Sequence, residues 1–272
     1  EIADGDWSSD VCSSDLVTPA YEAERFIEGT LRSVMEQTYD RVEHVVMDGG
    51  STDRTTEILA SYEEQESYDL RWYSEPDEGM YDAIEKGFER ASGDVLAWLN
   101  ADDKYLPWAV RIAVDALSEP GVEWVTGHPA KWDADGSLST VRPIRPYYRR
   151  EWIENGWYYG RGLGWMQQES MFWTRGLWER RGGFPDGVGL AGDYHLWRRF
   201  AAETAPVQLG TVVAGYRLHD DQLTAGIEDY YAEVPDAGPL LRTLSLLRVG
   251  ELYSLFRLAV ERFRRHRSAR TP

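Results

Sequence analysis

The 272-residue sequence contains a single cysteine, Cys12, so no disulfide framework can form and a reducing compartment fits. It lacks any run of about 18 apolar residues, the length a membrane-crossing helix needs. The N-terminus has neither a basic region nor an apolar stretch of the secretory type, which predicts a cytoplasmic protein. Positive charge is scarce: 29 Lys and Arg face 47 Asp and Glu, leaving a net charge of −18. A surface of that sign repels phosphate backbones and excludes nucleic acid as a partner. An anionic nucleotide still fits if a divalent cation lies between it and the protein. Aromatic residues are plentiful, with 12 Trp and 16 Tyr. Such rings stack on the flat C–H faces of sugars, and equally well fill a core. An apolar fraction of 42% supports a sizeable core, and the length fits one large domain with or without a C-terminal appendage.

Residues 1–16 carry the near-copies SSDV (8–11) and SSDL (13–16) and no helical or strand period, which predicts a non-native or disordered leader outside the fold. From there elements alternate. Phe26, Ile27, Leu31, Val34 and Met35 predict a helix over 23–37, and Val42–Met47 a buried strand. Ser51, Thr52 and Asp53 predict an N-cap for a helix reaching Glu64. A strand at 70–73, a helix at 81–91, a strand at 95–99, a helix from Pro107 to Leu117 and a strand at 122–126 follow. This βα alternation predicts a parallel sheet flanked by helices through residue 130. Ligands of such sheets bind beyond the carboxyl ends of the strands. The polar clusters 48–53, 75–82 and 100–103 each follow a predicted strand, so they converge on one edge.

Past residue 130 the pattern loosens. Residues 142–168, rich in Arg, Trp, Tyr and Gly, predict a long loop over the site, and 207–216 a further strand. GGFPDGVGLAG (182–192) reads as a mobile glycine-rich loop. From Leu240 the chain is helical and basic, with eight arginines against Glu251 and Glu261. That predicts either a solvated helix packed on the domain or peripheral contact with an anionic membrane. The domain reading is therefore a leader (1–16), a catalytic domain (17–225, divided near 130) and a basic helical segment (226–272).

Two segments carry chemistry by residue type alone. Asn100-Ala101-Asp102-Asp103 places adjacent carboxylates at a strand end, where a divalent cation relieves their repulsion; oxygen ligands in small number suit Mg²⁺ or Mn²⁺. A turn followed by a helix cap is the bland alternative. Asp48-Gly49-Gly50-Ser51-Thr52-Asp53 offers glycines for close backbone approach and a carboxylate able to accept from a base N–H or ribose hydroxyl, or else a plain strand–turn–helix link.

Taken together, Thr18-Pro19-Ala20-Tyr21, VMDGGSTDRTTEIL (46–59) and SEPDEGMYDAIEKGFERASGDVLAWLNADD (74–103) resemble the large inverting family of GT-A-fold glycosyltransferases that includes many bacterial cell-surface polysaccharide enzymes. The likeness is close over 17–130 and looser to about 220. It implies an α/β fold with a Rossmann-like, mostly parallel sheet and a C-terminal helical appendage. It implies a UDP-, GDP- or dTDP-linked sugar donor, a glycan or glycolipid acceptor, Mg²⁺ or Mn²⁺, and work at the inner face of the cell membrane. By position it implies donor contacts at Thr18, Pro19, Tyr21, Asp48, Asp53, Asp77, Lys86 and Asp102, metal ligation by Asp103 above all, with Asp102, and a general base at Asp193 in GDYHLW (192–197). Beside this, His219 reads as a further metal or phosphate contact or as a surface histidine. Gln167, Gln168 and Glu169 are candidates to meet the acceptor, and Trp157, Tyr158, Tyr159 and Trp165 to stack on sugars or pack the loop.

The sequence departs from the family pattern at Asn100, Glu85 and Gly192, where Asp, Asn and an acidic residue are expected, and no apolar strand is evident before Thr18. Two other classes compete: a sugar-phosphate nucleotidyltransferase, which needs a glycine-bearing triphosphate loop where this chain has TPAYEAER, and a non-catalytic glycan- or nucleotide-binding module.

Overall fold

The computed structural model describes residues 13–65, 67–220, 227–235 and 238–268. The chain opens on β1 (Ser14–Ala20), then alternates α1 (Ile27–Met35), β2 (Val42–Asp48), α2 (Thr55–Glu63), β3 (Leu70–Ser74), α3 (Met80–Arg90), β4 (Val95–Trp98), the short β5 (Lys104–Tyr105) and α4 (Ala109–Leu117). Next come β6 (Trp124–Thr126), the hairpin β7 (Ala130–Trp132) and β8 (Leu138–Val141), α5 (Arg150–Glu154), β9 (Met171–Thr174), α6 (Arg175–Arg181) and α7 (Gly192–Ala201). The chain ends on β10 (Val207–Gln208), β11 (Ala214–Arg217) and the helices α8 (Ile227–Glu233), α9 (Gly238–Leu246) and α10 (Val249–Ser268).

Seven strands form one sheet in the order β10-β6-β9-β4-β1-β2-β3. β1, β2, β3 and β4 are mutually parallel, with Ala20 opposite Asp48 and Asp48 opposite Ser74, so their carboxyl ends share one edge. This is the mixed α/β, mainly parallel architecture expected. The sheet is not parallel throughout: β9, from the second half of the chain, inserts antiparallel between β4 and β6. The single strand expected over 207–216 divides between two sheets, because β10 extends the large sheet while β11 joins β5, β7 and β8 in a smaller one.

The leader expected over 1–16 stops short of its boundary. Residues 1–12 lie outside the described residues, but Ser14, Asp15 and Leu16 belong to the central strand β1. The strand that seemed missing before Thr18 is present in a polar sequence, because its polar groups have internal partners. Asp15 accepts from the backbone N–H of Ser92 and Gly93, both at 2.5 Å, and Thr18 Oγ1 shares a 2.8 Å hydrogen bond with His44 Nε2. Buried groups satisfied in this way no longer carry the desolvation cost that makes polar strands read as loops. The predicted boundary at 225–226 also falls outside the described residues.

One face of the sheet packs on α1, α2 and α4 through Leu16, Leu31, Val46, Leu59 and Val110. The other face holds an aromatic core of Phe88, Trp98, Trp124, Trp173, Trp197 and Phe200, in which the Trp98 and Trp197 rings stack at 5.6 Å and 7°. Much of the tryptophan therefore serves packing, each fully buried large side chain contributing about 1.5–3 kcal/mol. The 142–168 segment is largely irregular, as expected, and contains α5. Its Tyr148, Tyr158, Tyr159, Leu163 and Met166 are buried in the same core.

Candidate functional site

Three loops meet at the carboxyl edge of β1, β2 and β3. The backbone of 20–24 is stitched to 49–55: Gly49 N–H donates to Ala20 O (2.8 Å), Glu22 N–H to Ser51 Oγ (2.8 Å) and Glu24 N–H to Asp53 Oδ2 (2.9 Å). Glu22 in turn accepts from Thr52 N–H at 2.8 Å. Above this platform Tyr21 is 68% exposed. A Cβ on Gly49 would lie 2.7 Å from Asp77 Oδ2 and 3.3 Å from Tyr21 Cδ2. Glycine is thus required for Tyr21, Asp77 and the β2 turn to close on one another. Pro19, one residue before the end of β1, is buried beneath them.

Other expected donor contacts are engaged elsewhere. Thr18 is buried against His44, whose own pKa burial lowers to about 3, so that pair is a neutral piece of the sheet. Asp48 is 1% exposed, and its two oxygens accept from Gly50 N–H (3.2 Å), Ser51 N–H (3.0 Å), Ser51 Oγ (2.5 Å) and Ser74 Oγ (2.6 Å). Its carboxylate is occupied in folding the loop. Asp53 is likewise taken by Glu24 and Thr55 N–H, and Lys86 is bound back to Asp82 at 2.9 Å on α3.

Beyond β4 the acidic pair separates into two environments. Asp103 is 3% exposed and its Oδ1 accepts from Arg217 N–H at 2.7 Å. Burial first, then Asp102 and Glu169, push its carboxyl well above the ordinary range. Asp102 stays about one-third exposed and meets His219 Nε2 at 2.8 Å. The strand β11, paired with β5 at Ala214 and Gly215 and with β7 at Tyr216 and Arg217, brings Arg217 and, two residues past its end, His219 to this place, 114 and 117 positions along the chain from their partners. Of the pair expected to hold the metal, Asp103 is the more enclosed and Asp102 the more accessible carboxylate, and the His219 side chain, 5% exposed, is turned onto Asp102 rather than lying on the surface. Among the described residues no three His, Cys, Asp or Glu side chains form a ready-made cage. A carboxylate and an imidazole edge fit Mn²⁺ or Mg²⁺ if diphosphate and water oxygens complete the shell.

Asp193 occupies the first turn of α7, only partly accessible. Burial raises its carboxyl to about 7, and Glu233 adds to the shift. Glu169, 4% exposed and held by Gln167, is raised to about 8, by burial first and further by the charges of Asp102 and Asp193. Charge acts from Asp102 and Asp193 on Glu169 and from Asp102 and Glu169 on Asp103, while His219 contacts Asp102, so these groups from four separate stretches of sequence influence one another.

The elements around Asp193 were not legible as functional. Glu233 of α8 accepts from Gly189 N–H (3.1 Å), Leu190 N–H (3.0 Å) and Ala191 N–H (2.8 Å), bracing the approach to α7. Tyr81 OH donates to Leu190 O (3.0 Å) and accepts from Asp193 N–H (3.3 Å). Glu85 accepts from Phe184 N–H at 2.8 Å, and Arg199 holds Gly182 O and Gly183 O. The 182–192 segment, expected to be a mobile loop, is tied at each of these points. Gly192 is also explained: a Cβ there would lie 2.5 Å from the Tyr81 ring, so the acidic residue expected before the base has no room. Of the sugar-stacking candidates, Tyr158 and Tyr159 are core residues and Trp157 lies against Trp152, while Trp165 remains 41% exposed. A separate cavity of about 620 Å³ opens across Phe26 from His219, between α1 and β5. Its lining carries four cations, Arg25, Arg32, Lys104 and Arg217, against the three carboxylates Glu28, Glu36 and Asp135.

Against known proteins, residues 15–184 match the model for glycosyl transferase family 2. That is more than half of the chain, and the chain belongs to this family and is a glycosyltransferase. Over 195 residues it is 32% identical to an uncharacterized glycosyltransferase of Mycobacterium tuberculosis (strain H37Rv), spanning 70% of this chain and 69% of that protein. Over 90 residues it is 38% identical to a Bacillus subtilis (strain 168) protein named as a teichuronic acid biosynthesis glycosyltransferase, TuaG, spanning 33% of this chain and 36% of TuaG. The fold matches residues 1–349 of Staphylococcus aureus TarS in complex with UDP-GlcNAc, with a TM-score of 0.63 at 15% identity, covering 81% of this chain. The chain spans under two thirds of that TarS structure, 64%. It also matches the Pyrobaculum calidifontis mannosyltransferase PcManGT in complex with GDP-Man and Mn²⁺, with a TM-score of 0.61 at 22% identity, covering 88% of this chain and 69% of that one. These structural likenesses establish the GT-A fold.

Proposed function

We propose that this glycosyltransferase moves a sugar from a nucleotide-sugar donor to a hydroxyl of a glycan or glycolipid acceptor, with inversion and a divalent cation, in the synthesis of a cell-surface polysaccharide. The observation that carries the reading is a raised, partly accessible carboxyl, Asp193, at the start of α7, whose charge acts on Glu169 together with that of Asp102, the partner of His219. The donor class is supported by neighbours that hold UDP-GlcNAc and GDP-Man, the cation by the Mn²⁺ of PcManGT, and the pathway by TuaG.

Tyr21, Asp77 and the Gly49 turn receive the nucleoside, and the β4 edge receives the diphosphate. Asp102 and His219 would hold the cation, whose chemistry is neutralisation of charge on the departing diphosphate. Asp193, ionised, accepts the acceptor hydroxyl proton as the acceptor oxygen bonds to the anomeric carbon. The bond from that carbon to the diphosphate breaks on the opposite face, which inverts the centre. Glu233 and Tyr81 hold the α7 N-terminus so that Asp193 keeps its geometry.

The test is nucleoside diphosphate release from a panel of UDP-, GDP- and dTDP-sugars, with and without Mn²⁺ or Mg²⁺. The expected result is cation-dependent release from one donor. In Asp193→Asn, turnover falls at least about 100-fold while nucleotide binding survives. Near-normal turnover in that variant would remove Asp193 from the mechanism.

A further inference from the structure

We propose that the outward face of α9 and α10 docks on an anionic lipid bilayer, lying flat in its interface. The inference is independent of the catalytic reading above. α10 is anchored by one face: Ser254 Oγ accepts from Tyr147 N–H at 2.9 Å, the Arg257 guanidinium lies 5.1 Å from the Tyr147 ring centre, and Tyr253 packs on Trp152 at 4.9 Å. Gly250 completes that face, since a Cβ there would lie 3.1 Å from Leu163 O. These contacts fix the rotation of the helix. They leave Leu252, Leu255, Phe256 and Ala259, spaced i, i+3, i+4, i+7, pointing away from the protein. Leu246 and Leu247, at the end of α9 and in the turn that follows, extend the patch, and its five large residues are 48–85% exposed. An amphipathic helix in a globular protein ordinarily turns such a stripe inward; this one is held with the stripe outward.

Charge selects the occupant. The chain carries −18, yet residues 240–272 hold eight arginines and two glutamates. Arg242 and Arg248 flank the stripe in exposed positions. Of the two glutamates, Glu251 is paired with Arg142 and Arg248. A second copy of this chain packed on the same face would set arginine against arginine, whereas an anionic headgroup layer over an apolar interior matches both the charge and the leucines. Among the described residues no helix is long and apolar enough to cross a membrane, so the docking is superficial. The anchored face touches Tyr147, Trp152 and Leu163, within the 142–168 segment, so the docked helix would bring that segment down to the lipid surface.

The experiment is co-sedimentation of the full chain with sucrose-loaded vesicles of phosphatidylcholine alone or of phosphatidylcholine with phosphatidylglycerol. The wild-type chain is expected to sediment with the phosphatidylglycerol vesicles and to be released by high salt. The triple variant Leu252→Glu, Leu255→Glu, Phe256→Glu is expected to partition at least about tenfold less, with unchanged thermal unfolding and unchanged nucleoside diphosphate release from a soluble donor. Wild-type chain that stays in the supernatant with both vesicles overturns the proposal, as does a triple variant that binds as well as wild type. Gel filtration showing a wild-type dimer that the variant converts to monomer, without vesicle binding, overturns it in favour of an interface between copies.

Discussion

Asp193 carries a carboxyl that burial raises to about 7, and a general base works best when its pKa lies near the working pH. Only the ionised form accepts a proton, so kcat/KM, which reports the free enzyme, is expected to climb as pH rises through about 7 and to level above it, with a slope of one proton. Asp193→Asn should give a flat, low profile; a wild-type profile already level at pH about 5 would show that the base titrates as an ordinary carboxyl and not as a raised one. At the neighbouring pair, access distinguishes two carboxylates of identical type. Asp102 and His219 face each other at 2.8 Å, while Asp103 is spent on Arg217 N–H. His219→Ala and Asp102→Asn are expected to weaken Mn²⁺-dependent nucleoside diphosphate binding by about 10–100-fold. Asp103→Asn, which keeps an acceptor for Arg217, should bind nearly as wild type. Calorimetric titration with and without Mn²⁺ separates these outcomes, and a large loss in Asp103→Asn alone would restore Asp103 as the ligand.

The elements act through their ends. α7 begins with Asp193, and its approach is held by a carboxylate from α8 rather than by a cap of its own: the α7 N-cap, Ala191, has no side-chain acceptor, and Glu233 takes the amides of Gly189, Leu190 and Ala191 instead. Removing that acceptor leaves backbone donors without a partner, at a cost of about 1–3 kcal/mol. Glu233→Ala is therefore expected to lower stability by about that amount in chemical denaturation. It should also reduce kcat by more than it raises the donor KM, because the base moves and the nucleotide platform of β1, β2 and β3 does not. An effect confined to KM would place Glu233 in donor binding instead. β11 acts similarly for the acidic pair, since its pairing with β5 and β7 sets where Arg217, and His219 just past it, stand.

Across the whole molecule, buried carboxyls link catalysis to stability. Glu169 and Asp193 have folded pKa values of about 8 and about 7, against ordinary values of 4.5 and 3.8. Between those limits the folded chain holds protons that the unfolded chain has released, so stability falls as pH rises. The melting temperature of the cation-free protein is expected to drop from about pH 5 to about pH 8. Glu169→Gln, which cannot ionise, should flatten that drop and gain stability at the alkaline end. A variant curve parallel to wild type would assign the slope to the overall −18 charge instead.

The chain's own sequence determined the alternation of strands and helices through residue 130, the edge on which polar loops gather, and the acidic pair after β4. Those features are local: a period of 3.6 or 2, a turn composition, a carboxylate directly following an apolar run. It also marked Asp193 and, with two readings open, His219. Tertiary structure alone decided which of those residues have internal hydrogen-bond partners. Asp48, Asp53 and Thr18 look like ligand contacts as residue types, and each is also bonded to groups up to about thirty positions away. Leu16 and its polar neighbours look like a leader, yet amides from Ser92 and Gly93 make them the central strand. The insertion of β9, the bracing by Glu233 and the meeting of Asp102 with His219 all join positions about 40 to 120 apart. Hydrogen-bond satisfaction and burial depend on which distant groups arrive at a place, and no local periodicity encodes that arrival.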